Sequence, residues 1–541
     1  MLRFAKSLSI VLYLAGALLL TACNSVRQPS SVAQPINYSD EDIVQNEIER
    51  INGFMENEPL RALWRAYLLG REEVTENCFS KIEELYNSAL EEKNYLDAKK
   101  YYKSLKAVKP VWNTSYTYDQ LDKLAAAEVP GFAGTNKKAP SKISECMKAA
   151  VTVWVDRGVT VKNGAGFADV IIGSGFFIDQ RGYIVTNHHV IDSMVNPKYE
   201  GYARLYIKLS EDNLTKIPAK VVGYDALLDL ALLKVEVEPE YVLNLGSSSD
   251  LEIGDKISAI GTPVGLEGTL TSGIISSFDR KLLALGNVFQ IDAAVNSGNS
   301  GGPLIDKNLK VQAIVYAGIL QLQGLNFAIP VEYLKQELPY LYGRGEIIHS
   351  WIGCYGNTKR DGTKKTGLEI QYVLSGGSAF LSGLTAGDVI TSLDGKAVTS
   401  LDDFNFMMMA LEPETIVECK YISADGQEKK CLVYLDKRPE NPSVTVYESD
   451  LITSSFVPLF GMKLIPSSTT NRKSYTIEKI IPGSGADDMS FSENDSVTIA
   501  DVTINEKNKM IITTLSTKRK KKAFLDVVMS LGASFDSPYY F

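Results

Sequence analysis

Apolar positions along this chain change their spacing more than once. Across residues 41–110, Ile43, Ile48, Ile51, Leu63, Tyr67 and Leu68 recur at helical spacing among many charges, which predicts helices with one buried face. Beyond residue 141 the period falls to two. Val151-Thr152-Val153-Trp154-Val155, Gly175-Phe176-Phe177-Ile178, Tyr183-Ile184-Val185, Leu230-Ala231-Leu232-Leu233-Lys234-Val235 and Val311-Gln312-Ala313-Ile314-Val315 are short β-branched or aromatic runs divided by Gly, Asp and Asn turns. Strands that follow one another without helices between them predict a closed all-β architecture. Residues 131–141, rich in Gly, Ala, Lys and Pro, read as the linker between the two regimes.

The first residues obey neither period. MLRFAKSLSIVLYLAGALLLTAC has a basic start (Arg3, Lys6), an apolar core over residues 8–20 and small residues before Cys23, the layout of an export signal rather than a membrane span. Leu20-Thr21-Ala22-Cys23 resembles the bacterial lipobox, which implies that Cys23 becomes the lipidated first residue of the mature chain. A plain secretory signal with an incidental cysteine has the same layout. Residues 1–22 are thus expected to be the signal, 23–41 a Ser, Pro, Gln and Asn tether, and 42–130 a helical module. Ala98, Tyr102, Leu105 and Pro110 fall where a tetratricopeptide helix places Ala, an aromatic, an apolar residue and a terminating Pro; a plain helical hairpin fits them too.

A chain of 541 residues exceeds one hydrophobic core and predicts several domains. Apolar residues at 45% and charged residues at 22% fit a folded body, and a net charge of −9 argues against a nucleic-acid partner, which needs excess Lys and Arg. The basic run Lys518-Arg519-Lys520-Lys521-Lys522 reads as a solvated face. Besides Cys23, Cys78, Cys146, Cys354, Cys419 and Cys431 make an odd count, so they are not a disulfide framework. Cys419 and Cys431 flank the turn-like Ala424-Asp425-Gly426-Gln427 and are expected opposite each other in a hairpin, either bridged or as two free thiols.

Only three histidines occur, and two stand together in Thr186-Asn187-His188-His189-Val190, after a strand. Asp229 stands just before another strand, and Asn296-Ser297-Gly298-Asn299-Ser300-Gly301-Gly302-Pro303-Leu304 follows downstream. A serine becomes a strong nucleophile only beside a base, and the base needs a carboxylate to fix its tautomer. This chain offers all three. The glycines permit a tight turn that exposes Ser300 and lets the backbone N–H groups of Gly298 and Ser300 face one point, where an oxyanion develops; one such donor is worth roughly 2.7–4 kcal/mol of barrier. Gly298-Asn299-Ser300-Gly301-Gly302 also satisfies G-x-S-x-G. However, Pro303 follows at once, and the only later histidine, His349, lies beyond the β region, so the order His, Asp, Ser fits the chymotrypsin arrangement instead. Asp225 reads as a turn residue and Ser174 as a small residue permitting close strand packing.

TNHHVI, DLALLKV, GTPVGLEGTLTSGIIS, IDAAVNSGNSGGPLID and LNFAIP, across residues 145–335, resemble the successive blocks of the HtrA family of trypsin-like serine proteases. The resemblance implies His189 as base, Asp229 as its orienting carboxylate, Ser300 as nucleophile, and the amides of Gly298 and Ser300 as the oxyanion hole. His188 then has a supporting or merely exposed role. Gln290-Ile291-Asp292-Ala293-Ala294 resembles the strand beside the specificity pocket, and its small and aliphatic residues suggest apolar P1 side chains. Further on, Ser375-Gly376-Gly377-Ser378-Ala379 through Gly387-Asp388-Val389-Ile390 resembles a PDZ block, which implies a peptide-binding loop at Trp351, Ile352, Gly353 and Cys354. Tyr475 to Val497 resembles a second, degenerate copy, with Phe460-Gly461-Met462 as its loop.

The expected fold is multidomain: an N-terminal α-helical module, an all-β chymotrypsin-like double β-barrel over residues 142–340, a PDZ domain over 347–440 and a degenerate PDZ-like α+β domain over 452–541. The lipobox resemblance implies a lipid anchor at Cys23, and the protease resemblance implies a serine endopeptidase of the bacterial cell envelope. Its implied substrates are unfolded or damaged polypeptides, with C-terminal peptides bound at the PDZ groove. Homotrimers are implied by the same resemblance, and no metal or organic cofactor. The alternative is a catalytically locked peptide sensor or chaperone.

Overall fold

In this computed structural model the described residues are 33, 36, 38, 40–132, 138–262, 268–296, 298–318, 325–467, 473–520 and 524–541. The signal segment, Cys23 and most of the tether lie outside them. No helix among the described residues is long and apolar enough to cross a membrane. The chain forms two compact units, residues 33–443 with 535–541, and residues 444–534.

Five helices open the larger unit: α1 (Glu41–Phe54), α2 (Pro59–Leu69), α3 (Glu72–Glu91), α4 (Tyr95–Val108) and α5 (Tyr118–Ala126). Local chemistry marks their ends. Asp40 and Asn94 accept first-turn amides of α1 and α4, Pro59 opens α2, and Gly70 closes it in the left-handed region that glycine tolerates. Thr117 and Gln120 form a capping box at α5. Consecutive helices pack on one another around Ile51, Leu63, Trp64, Ile82, Ala98 and Leu105, all buried.

After α6 (Ile143–Ala149), strands β1 (Ala150–Lys162), β2 (Ala165–Asp179), β3 (Tyr183–Thr186), β4 (Arg204–Leu209), β5 (Asp212–Asp225) and β6 (Leu230–Val235) close a barrel in the order β1-β2-β3-β6-β5-β4. A second barrel takes β7 (Lys256–Gly261), β8 (Thr269–Arg280), β9 (Val288–Ile291), β10 (Pro303–Ile305), β11 (Val311–Gly318) and β12 (Asn326–Pro330) in the order β10-β11-β12-β9-β8-β7. Closure leaves no free edge. The period of two seen in the sequence fills each interior: Val151, Val153, Val155, Phe177, Ile184 and Leu233 in the first, Ile257, Ala259, Ile275, Ile291, Leu304 and Ala313 in the second. Helix α7 (His188–Val195) follows β3, and α8 (Val331–Gly343) joins one core with Phe176, Ile178, Ile260 and Ile329 from both barrels.

Residues 350–437 form a sheet in the order β14 (Cys354–Asp361), β15 (Lys364–Val373), β16 (Val389–Leu393), β18 (Ile416–Ile422), β19 (Glu428–Tyr434). β13 (Ser350–Trp351) pairs with β20 (Asp436–Lys437), and β17 (Lys396–Ala397) with β16. Helices α9 (Ser378–Leu381) and α10 (Leu401–Met409) complete it. Cys419 faces Cys431 across β18 and β19, the register expected, and both are free thiols. The helical module packs against this domain. Trp64 Nε1 donates to the Leu432 carbonyl (2.9 Å), its ring stacks on Tyr434 (5.6 Å), Arg61 pairs with Asp436 (2.7 Å) and Ser104 Oγ accepts the Ile416 amide (3.0 Å).

The smaller unit carries the antiparallel sheet β21 (Met462–Pro466), β22 (Ser474–Ile480), β23 (Ser496–Asn505), β24 (Met510–Lys520) and β25 (Phe524–Ser534) in sequential order. Gly461 (φ 80°) accepts the Ile481 amide (2.8 Å), and Gly353 (φ 83°) accepts the Leu374 amide (2.7 Å), so both sheets close their first loop alike. Of the basic run, Lys518 is exposed, while Lys521 and Lys522 lie outside the described residues. The end of the chain joins the larger unit. Phe535–Phe541 belong to the larger unit rather than to the last PDZ-like domain, because their side chains pack and pair there.

Candidate active site

The site is built from three turns. β3 ends at Thr186, and Asn187 starts α7, placing His188 and His189 in its first turn. Asp229, before β6, has φ 54°, in the left-handed region that non-glycine residues seldom adopt. Its backbone is held there from both sides, since its carbonyl accepts Asn187 Nδ2 (2.9 Å) and the His188 amide (3.2 Å). The Asp229 carboxylate grips His189 twice, with Oδ1 accepting the backbone amide and Oδ2 meeting Nδ1, each at 2.7 Å. Asp229 is buried, whereas 47% of the His189 side chain is exposed. A proton on Nδ1 is the tautomer that lets the ring donate to this carboxylate, and it leaves Nε2 unprotonated.

The Ser300 turn is packed so closely that its glycines are required. A Cβ on Gly301 (φ 86°) would stand 2.2 Å from the Ser174 carbonyl, and one on Gly302 2.2 Å from the Ile260 carbonyl. Ser174 lies under the turn. Its Oγ donates to the Gly298 carbonyl (2.6 Å) and accepts the Thr262 amide (2.9 Å), while its own amide donates to the Ser300 carbonyl (2.8 Å). The sequence reading of Ser174 as a packing residue therefore missed a brace. The Ser300 hydroxyl donates to the Tyr316 carbonyl (3.1 Å), and among the described residues no hydrogen bond joins it to His189. Tyr316 also sets its ring edge-on to the His189 imidazole (6.4 Å), so one residue abuts both.

His188 is more enclosed than expected. Its ring stacks on Tyr224 (5.2 Å) with 13% of the side chain exposed, which gives it a packing role. Asp225 makes the expected turn, accepting the amides of Leu227 (2.8 Å) and Leu228 (3.0 Å). Its other oxygen meets Nε2 of His349 at 2.8 Å. With Glu337 these form a buried group whose ligand-type atoms lie within 4.8 Å of one another. Among the described residues neither Glu337 oxygen has a hydrogen-bond partner, and burial, then Asp225 and Glu412, push its carboxyl well above the ordinary range. Sequence reading missed this cluster, since Asp225 lies more than a hundred positions from both Glu337 and His349. At the expected peptide loop, Ile352 and Cys354 are buried, the Ile352 carbonyl accepts the Ala379 amide (3.0 Å), and the Cys354 amide points to another part of the chain.

Residues 173–314 match the model of the trypsin-like peptidase domain, residues 443–535 that of the TP0546 family PDZ domain, and residues 42–125 a domain of unknown function. A probable periplasmic serine endoprotease, DegP-like, of Bartonella henselae is 32% identical over 357 residues, covering 63% of this chain and 67% of that protein. The chain belongs to the HtrA family of DegP-like serine endoproteases. A second relative with the same printed name, from Ectopseudomonas mendocina, is 34% identical over 281 residues, 50% of this HtrA chain and 57% of its own length. The chain thus spans little more than half the length of several such relatives. The solved HtrA-type protease AlgW with tripeptide is 25% identical over 55% of this chain and 96% of its own, with a TM-score of 0.46.

Proposed function

We propose that this HtrA-family chain is a serine endopeptidase that cuts unfolded or damaged envelope polypeptides by acyl transfer. The observation carrying this is the pair of hydrogen bonds by which the Asp229 carboxylate holds His189, beside a glycine-walled turn that presents Ser300. For reaction the Ser300 hydroxyl turns from the Tyr316 carbonyl to Nε2 of His189, which takes its proton as Oγ attacks the scissile carbonyl. Asp229 steadies the imidazolium, and the amides of Gly298 and Ser300 receive the oxyanion. His189 returns the proton to the leaving amine, and water then releases the acyl group by the same steps. None of these steps calls for a metal or organic cofactor.

The loop Trp351, Ile352, Gly353 and Cys354 is read as the site that takes extended C-terminal peptides and tunes this activity. Relatives named as periplasmic support an envelope location. Cys23 as the lipid-bearing residue rests on its lipobox-like setting, and homotrimers as the assembly rest on the family resemblance. A fluorophosphonate probe, applied with and without a C-terminal peptide, tests the enzyme reading. Labelling of the parent chain that Ser300→Ala abolishes is the expected result. Absence of labelling under every condition would support the locked peptide sensor instead.

A further inference from the structure

β14 pairs with β15 on one side and is an edge of its sheet. Its other side is occupied. The Cys354 amide donates to the Phe541 carbonyl oxygen (2.9 Å), the Phe541 amide donates back to the Cys354 carbonyl (3.0 Å), and the Gly356 amide donates to the Tyr539 carbonyl (3.1 Å). Tyr355 and Tyr540 face each other as an antiparallel bridge. Residues 539–541 thus continue the sheet as one more strand, starting at the loop read as the peptide-binding loop.

The side chains fit as closely as the backbone. Phe541 is 2% exposed and packs its ring 5.0 Å from Phe404 of α10, within the core that holds Ile352, Leu401 and Met408. Tyr540 is buried, sharing a hydrogen bond with Ser443 Oγ (3.1 Å), and its carbonyl accepts Arg438 Nη1 (3.1 Å). Arg438 also pairs with Asp536 (2.7 Å), and Asn405 of α10 donates to the Pro538 carbonyl (3.4 Å). Tyr539 reaches the second barrel: Lys281, after β8, lies 5.3 Å from its ring centroid and pairs with Asp402 of α10 (3.1 Å).

We propose that residues 536–541 are a built-in ligand of the groove between β14 and α10, and that an external peptide ending in Phe enters only by displacing them. This rests on the reading of residues 350–437 as a peptide-binding PDZ domain. The groove selects an extended backbone, because Cys354 and Gly356 offer strand-type bonds, and an aromatic ring, because Phe404 and its neighbours enclose one. Displacement frees Tyr539 from Lys281, so occupancy of the groove is felt at the end of a barrel strand.

The test titrates a fluorescent hexapeptide, Asp-Ser-Pro-Tyr-Tyr-Phe, into the full chain carrying Ser300→Ala, which prevents cleavage, and into the same chain lacking residues 536–541. Anisotropy gives Kd. If the internal strand competes, the shortened chain binds at least about tenfold more tightly, since apparent affinity falls with the fraction of open groove. Phe541→Ala, which keeps the backbone pairs, should fall between the two. Hydrogen exchange supplies a second readout, with the Cys354 and Gly356 amides protected in the full chain, exposed in the shortened one, and protected again by added peptide. Equal Kd for both chains, or equally fast exchange of those amides, overturns the built-in ligand. Binding to neither chain, with protection lost on shortening, overturns the peptide-binding reading and the displacement step with it.

Discussion

Ser174 illustrates how much of the site depends on a single buried hydroxyl. It bonds the Gly298 carbonyl on the Ser300 turn and the Thr262 amide on the neighbouring barrel, with none of its surface exposed. Ser174→Ala would leave two buried polar groups unsatisfied, at about 1–3 kcal/mol each, one of them on the segment proposed to hold the oxyanion amides. We expect fluorophosphonate acylation to slow roughly 10- to 100-fold while the chain remains folded, as acylation kinetics beside a thermal melt would show. Val190 enforces the same geometry. A Cβ on Gly173 would meet its Cγ2 at 2.6 Å and the Ser300 carbonyl at 3.2 Å, so the strand must be bare where α7 and the serine turn converge. Within the site, residue types and order were legible in the sequence because a serine, a histidine and an aspartate carry recognisable chemistry. The brace was not, because a serine in a strand has the same appearance whether or not its hydroxyl is shared.

Among the elements, α2 and β19 decide how the helical module is held. Trp64 combines a buried ring stacked on Tyr434, a hydrogen bond to the Leu432 carbonyl, and a neighbour, Arg61, that lies over the same tyrosine (5.0 Å) while pairing with Asp436. α4 adds Lys103, which pairs with Asp394, and Ser104, which accepts the Ile416 amide. Trp64→Ala should cost about 3–5 kcal/mol through lost packing and an unpaired carbonyl. Limited proteolysis would then cut residues 41–126 well before the barrels, whereas the parent module resists. The helical period foretold that these helices had a buried face. It did not say what covered that face, since an apolar stripe fits any apolar surface of matching shape.

In the larger unit as a whole, an acidic group is enclosed where α8 meets the first barrel and the approach to β13. Glu337 is fully buried with Asp225 and His349, and Glu412 adds a further negative charge. Its folded carboxyl value is raised, so above the ordinary carboxyl range the folded chain keeps a proton that the unfolded chain has lost. Stability therefore falls as pH rises through that window. Glu337→Gln keeps the shape and removes the ionisable group. We expect its Tm to exceed the parent's at neutral pH, with the gap closing toward pH 4; a parent whose Tm does not depend on this substitution at any pH would refute it.

Periodicity alone determined that helices precede strands here, that the strands bury one face each, and that the serine turn must be rich in glycine, because these follow from spacing and sterics within a few residues. Turn chemistry likewise determined the hairpin that sets Cys419 against Cys431. Only the tertiary structure decided that Ser174 braces the Ser300 turn, that Asp225 and His349 meet around Glu337, that the helical module covers β18 and β19, and that residues 539–541 lie along β14. Each of these joins segments between roughly 90 and more than 300 positions apart. Local propensity is indifferent to contacts of that kind, which form only when whole surfaces compete for burial.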